Sequence, residues 1–128
     1  MQRKIQLIGL PGAGKTTAIQ RYLKNTTKKI QYIDIATFPK KDKQNLFKTA
    51  IDTTQNSLIA ESACGVLAEN TYIIKLEPAL QDIYVNCIRR DHYVDADYLS
   101  LLTGQMIPAH CTIGSTEELP SVLNLLFK

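Results

Sequence analysis

The chain has 128 residues, of which 45% are apolar and 21% charged, with a formal net charge of +3. Such a length supports one core, so a single domain over residues 1–128 is expected, and the composition excludes a disordered or fibrous chain. The charge is milder than that of a protein that coats nucleic acid, though it suits ligands that carry phosphate.

No apolar run approaches a membrane span. The basic start, Met1-Gln2-Arg3-Lys4, runs into a strand broken by Gly9 and Pro11 and does not read as a signal peptide. A cytoplasmic protein with no membrane partner is therefore expected. Cys64, Cys87 and Cys111 are odd in number and widely spaced. They are read as small free thiols, in preference to a disulfide framework or a zinc site shared with His92 and His110.

The first element is a short apolar strand at residues 4–8 (KIQLI). Gly9-Leu10-Pro11-Gly12-Ala13-Gly14-Lys15-Thr16 follows and fills the pattern Gly, four residues, Gly, Lys, Ser/Thr without a mismatch. Its physical logic is access. Gly9, Gly12 and Gly14 can take conformations that a side chain forbids, so successive N–H groups turn inward as an anion-binding nest, with Pro11 and Ala13 between them. Lys15 supplies a point charge for the β- and γ-phosphates, and the Thr16 hydroxyl is placed to ligate Mg²⁺. Residues 16–24, beginning Thr16-Thr17, have apolar positions at helical spacing, and a helix starting there aims its positive end at the same phosphates.

A polar connector at 25–29 leads to a second strand at 30–36 (IQYIDIA), which carries Asp34. Phe38-Pro39 stops it. Residues 40–55 read as a mostly polar helix with Leu46, Phe47, Ala50 and Ile51 inward. A third strand at 57–60 ends on Glu61-Ser62, and Gly65 and Asn70 bracket a short helix at 66–69. Strand four is 71–76 (TYIIKL), closed by Glu77-Pro78. Residues 79–90 form an amphipathic helix ending in Arg89-Arg90. A polar segment at 91–97, a helical turn at 98–102 and a loop at 104–108 lead to a fifth strand at 110–113. Ser115 and Thr116 are cap candidates for a last helix at 117–127. Strands alternating with helices at this spacing predict an α/β fold: a five-stranded parallel sheet with helices on both faces, three layers in all.

Through Gly-Leu-Pro-Gly-Ala-Gly-Lys-Thr at 9–16, and more loosely through the order of elements after it, the chain resembles the small P-loop kinases, the group of adenylate kinase, shikimate kinase and the nucleoside kinases. The resemblance implies ATP and Mg²⁺ as cofactors. By position it implies Asp34 and Glu61 as strand-end acids, Glu61 for the metal with Thr16, and Arg89 and Arg90 as lid arginines. It also makes Gly114-Ser115 the turn that holds the base.

Phosphoryl transfer asks for the same groups, because a loose transition state with spread charge needs cations, a metal and an aligned acceptor more than covalent help. Lys15 and one or both of Arg89 and Arg90 can be the cations, and a carboxylate at a strand's C-terminal end can hold metal-bound water or take the acceptor's proton. Departures from the family bear on the acceptor. Only Arg3, Arg21, Arg89 and Arg90 occur, so no arginine stands between residues 22 and 88, where monophosphate kinases grip the acceptor phosphate. The Gly-x-Pro-Arg pattern of adenylate kinases is missing, and Glu61-Ser62 lacks the arginine expected after it in deoxynucleoside kinases. Either the acceptor carries no phosphate, or Lys40, Lys41, Lys43 and Lys48 grip it less tightly than an arginine fork would.

The expected function is thus ATP-dependent phosphorylation of a nucleoside, nucleotide or similar small metabolite. The alternative is an ATP-binding accessory or switch module without a small-molecule acceptor. A nucleic-acid 5′ end stays open as acceptor. A GTPase is disfavoured by the lack of Asn-Lys-x-Asp and of Asp-x-x-Gly after the third strand.

Overall fold

Apart from Lys4 and Gln6, β1 (Lys4–Ile8) is apolar, and from Ile5 onward it is buried, as a central strand covered on both faces must be. The computed structural model describes residues 3–128. After β1 come α1 (Lys15–Asn25), β2 (Gln31–Asp34), α2 (Lys43–Thr53), β3 (Leu58–Ser62), β4 (Thr71–Leu76), α3 (Leu80–Asp91), α4 (Ala96–Gln105), β5 (Cys111–Ile113) and α5 (Leu119–Leu126). The strands form one sheet in the order β2-β3-β1-β4-β5, and every pairing is parallel. The chain steps to one side of β1 for β2 and β3 and to the other for β4 and β5. Beyond the strands' C-terminal ends such a reversal opens a crevice, and a ligand site belongs there.

Each face of the sheet is covered by different helices. Ile5, Leu7, Ile59, Ile74 and Leu76 pack with Ala18, Ile19 and Tyr22 of α1 and with Leu119 and Leu123 of α5. On the opposite face Phe47 and Ile51 of α2 meet Leu58, Ala60 and Val66. A third cluster joins Ile83 and Cys87 of α3 to Leu99 of α4, with Leu10 of the glycine-rich loop against it. The expected three-layer α/β architecture with five parallel strands is what the chain forms.

Some boundaries differ from expectation, each for a local reason. Strand β2 stops at Asp34, whose Oδ1 accepts the Ala36 N–H at 2.9 Å and caps a 3-10 turn over Ile35–Thr37. His92, in the left-handed region with φ 68°, ends α3, and Asp95 caps the next helix by accepting the Tyr98 N–H. Helix α4 consequently takes up Gly104 and Gln105, which had been expected in a loop. The helix expected at 66–69 is absent: residues 66–68 have no regular structure.

Gln6 explains that absence. It is fully buried in β1, and its side-chain amide donates to Val66 O at 2.8 Å and accepts the Val66 N–H at 3.0 Å. Its Nε2 also reaches Thr71 Oγ1 at 3.1 Å. A backbone residue whose donor and acceptor are both held by a side chain in the sheet cannot contribute them to a helix. Val66 is thereby pinned at the edge of the α2 cluster. Gln6→Leu should cost about 2–3 kcal/mol, because two buried backbone groups lose their partners. Urea denaturation measures this, and a loss below about 0.5 kcal/mol would mean that water or a neighbour satisfies Val66 equally well.

Candidate phosphate-binding site

The loop between β1 and α1 is wedged between strand and helix at distances only glycine allows. A Cβ on Gly9 would lie 2.7 Å from the Leu76 carbonyl oxygen. One on Gly12, at φ +90°, would meet Ile83 O at 2.8 Å and Cys87 Sγ at 2.9 Å. Helix α3 also braces the loop with side chains: Asn86 Nδ2 donates to Gly12 O at 2.8 Å and Cys87 Sγ to Pro11 O at 3.4 Å. The Ala13 N–H turns back to Leu10 O at 3.0 Å, so the peptide between Gly12 and Ala13 is held at both its polar atoms. Gly14, also left-handed at φ 91°, then opens α1.

Lys15 is only 8% exposed, and its ammonium folds back onto the loop, donating to Gly9 O at 2.5 Å and Leu10 O at 3.1 Å. Burial lowers its pKa from 10.5 to about 8, against the opposing pull of the Glu61 and Asp34 carboxylates. Glu61, 6% exposed, receives two hydroxyls: Thr16 Oγ1 donates to its Oε2 at 2.7 Å and Tyr32 OH to its Oε1 at 2.5 Å. Burial first, and then the contact with Glu61, push the Tyr32 hydroxyl well above the usual tyrosine range, so it stays a donor at neutral pH. Register sets Asp34 beside Glu61 on neighbouring strands, on the face that α1 covers.

Lys15, Thr16, Asp34 and Glu61 line a cleft of about 840 Å³ at the C-terminal end of the sheet. Pro11, Gly12, Ala13, Gly14, Lys15, Thr16 and Thr17 form its floor, with Asp34 and Glu61 on one side and Arg90, Gly114 and Ser115 among the remaining walls. Gly9 lies beneath the loop and not on the cleft. Arg89 does not line it either: it is exposed at the end of α3, while Arg90, one residue on, turns toward the cleft and pairs with Asp91 at 3.0 Å. Of the two arginines only Arg90 is in place. The backbone N–H groups of Gly114 and Ser115 are already taken by Glu118 Oε2, at 2.9 and 3.1 Å, in a capping box at the head of the last helix. That turn can offer a ligand surface, but not those donors.

Tyr32, Arg21 and Asn86 belong to the site and were not picked out from the sequence. Tyr32 sits two residues before Asp34 in an alternating strand, hence on the same face, which was the available signal. Nothing in the sequence marks Asn86. None of Lys40, Lys41, Lys43 and Lys48 lines this cleft. Lys48 pairs with Asp52 and borders a second cleft of about 750 Å³, also lined by Lys4 and Asn70, at the far ends of the strands.

Two hard oxygen donors, Thr16 Oγ1 and Glu61 Oε2, stand 2.7 Å apart. An octahedral ion with bonds of 2.0–2.1 Å has an edge of about 2.9 Å, so the pair fits a Mg²⁺ that keeps most of its waters. Among the described residues no group of three or more His, Cys, Asp or Glu could hold a metal ion. All three cysteines are free, and His110 is engaged elsewhere, its Nδ1 accepting the Ile73 N–H at 2.9 Å. Among those residues, too, no helix is long and apolar enough to cross a membrane.

Comparison with known proteins agrees with this fold. A gluconokinase from Sinorhizobium meliloti superposes with a TM-score of 0.68 over 98% of this chain and 94% of its own, at 9% identity. Shikimate kinase from Acinetobacter baumannii, solved with shikimate, gives 0.67 over 99% and 93% at 16% identity. Shikimate kinase from Aquifex aeolicus gives 0.65 over 95% and 94% at 14%. The chain has the α/β fold of the small P-loop kinases. A family model described as the viral superfamily 1 RNA helicase core domain matches residues 6–68, which run from β1 through the loop to just past β3. No curated protein matches significantly by sequence.

Because Gly12 is left-handed and in contact on its outer side, Gly12→Ala should lower stability by about 1–3 kcal/mol. Gly104→Ala is the control: no atom lies within 4 Å of the added Cβ, and the residue is helical. That change should stabilise by about 0.4–1 kcal/mol. Thermal melting of both variants checks the pair, and equal shifts would contradict the tight wedge described for the loop.

Proposed function

We propose that the protein is a P-loop phosphotransferase that moves the γ-phosphoryl group of ATP to the hydroxyl of a small metabolite carrying no phosphate. The observation that carries this reading is the convergence, at one sheet edge, of the glycine loop with Lys15, the Thr16–Glu61 pair and Asp34. The lack of any arginine between residues 22 and 88, and the position of Lys40, Lys41, Lys43 and Lys48 outside the cleft, support an acceptor without phosphate. The names of the structural neighbours, gluconokinase and shikimate kinase, support a polyhydroxy acid or sugar-like acceptor.

In this reading the loop N–H groups and Lys15 hold the phosphate tail, and α1 adds its positive end. Thr16 and Glu61 would hold Mg²⁺, which when bound neutralises charge on the phosphates. Asp34 orients the acceptor hydroxyl and takes its proton as the hydroxyl oxygen bonds to the γ-phosphorus and the bond to the β,γ-bridging oxygen breaks, releasing ADP. Arg90 meets the transferring group from the α3 side. An acceptor screen with labelled ATP tests the activity. Asp34→Asn should then lower kcat by a factor of about 10²–10⁴ while leaving ATP affinity within a few-fold. Loss of ATP binding in that variant would move Asp34 out of the acceptor role.

The buried lysine adds a pH signature. Free Lys15 loses its proton above about pH 8, and a bound phosphate favours the charged form. ATP affinity should therefore be level below that pH and fall about tenfold per unit above it. Calorimetry at pH 8 in buffers of different ionisation heat should register proton uptake on binding. No uptake would contradict the lysine–phosphate contact.

A second reading, a nucleotide-binding module with no acceptor, is supported by the helicase-core match over residues 6–68. It predicts ATP binding, with or without hydrolysis, and no phosphorylated product from any acceptor in the same screen.

A further inference from the structure

Glu61 is the one carboxylate buried at the cleft, and a buried carboxylate is costly unless its oxygens are matched by donors. No ion pair does this: among the described residues the pairs are Lys48–Asp52, Lys75–Glu77 and Arg90–Asp91. Lys15, the nearest candidate, spends its donors on Gly9 O and Leu10 O. Two hydroxyls are left to do the work, one on each carboxylate oxygen.

The two hydroxyls differ in what they are free to do. Thr16 opens α1 beside the phosphate loop, so its oxygen faces the place a metal would occupy, and the 2.7 Å contact with Oε2 gives way when an ion takes both oxygens. Tyr32 has no such competing use. It lies on β2 opposite Ile59, and Glu61 is two residues further along β3, so the ring runs diagonally across the strand pair to deliver its hydroxyl to Oε1. The ring itself is partly buried against the core that α1 covers.

We propose that Tyr32 is a positioning residue for the metal: by holding Glu61 Oε1 at 2.5 Å it orients the carboxylate so that Oε2 alone faces Thr16 Oγ1, the two oxygens that would hold the ion. The proposal rests on the phosphotransferase reading, and more narrowly on Mg²⁺ being held by Thr16 and Glu61. With the Tyr32 hydroxyl removed, Oε1 has no donor and the carboxylate turns to find one. The metal site is then disturbed through one carboxylate, while Lys15, held by Gly9 O and Leu10 O, and the loop N–H groups keep their places.

The test is Tyr32→Phe, which keeps the ring and its packing. Binding of a non-hydrolysable ATP analogue is measured by calorimetry with Mg²⁺ and with a chelator present. The parent should bind more tightly with Mg²⁺. The Phe variant should lose about tenfold of that gain, one charge-assisted hydrogen bond's worth, while its metal-free affinity stays within about twofold. Mn²⁺ titration of the ADP complex, read by water-proton relaxation, should show the same weakening in the metal term alone. Equal loss with and without metal would make Tyr32 a structural residue and overturn the proposal, as would an unchanged Mg²⁺ gain. A parent that binds the analogue but gains nothing from Mg²⁺ overturns the role of Tyr32 and leaves the phosphate loop standing. A parent that does not bind the analogue at all overturns the function reading itself.

Discussion

The buried ammonium of Lys15 is the constraint on which the rest of the cleft depends. Taking a lysine out of water is expensive, and here the cost is offset by two loop carbonyls and by the field of Glu61 and Asp34, without a direct ion pair. A cation compensated in this indirect way is poised for an anion that can displace weak partners. The loop must bring the carbonyls of Gly9 and Leu10 to the ammonium, and in doing so it passes within Cβ range of Leu76 and Ile83. The glycines are thus a packing requirement as well as a conformational one, set from outside by β4 and α3.

Sheet register does the remaining assembly. Leu7, Glu61 and Asp34 lie in one row across β1, β3 and β2, so the two carboxylates stand side by side on the α1 face, with Glu61 next to the central strand. Residues far apart in sequence meet because three parallel strands end together beside the start of α1. On the other flank α3 supplies Asn86 to the loop and Arg90 to the cleft. A small metabolite bound there would lie between the carboxylates of β2 and β3 and the Arg90 side of α3.

The phosphate loop was legible because its spacing encodes a backbone conformation that few other sequences need, and strand and helix flank it as they should. The five strands were legible from short apolar runs, since a parallel sheet buried on both faces leaves little ambiguity of period. Residues 66–69 were misread because their conformation is set by Gln6, sixty positions away, and no local pattern reports a side chain arriving from another strand. Arg89 and Arg90 could not be told apart from the sequence: adjacent helical residues point about 100° apart, and only the position of α3 selects the second. Likewise Gly114-Ser115 has the look of a ligand turn, yet Glu118 occupies its donors, and that capping box takes the N–H groups a base would otherwise meet. Tyr32 escaped notice because a tyrosine in a strand is ordinary, and its meaning comes from the carboxylate on the neighbouring strand.

The claim that underlies the whole account is that the turn between β1 and α1 wraps a nucleotide's phosphates around Lys15. Calorimetry of ATP with Mg²⁺ against the parent and Lys15→Ala tests it most directly. The parent should bind saturably and the variant should lose at least about tenfold, since a charge-assisted contact is removed from a desolvated site. Equal affinity in the two proteins would contradict it.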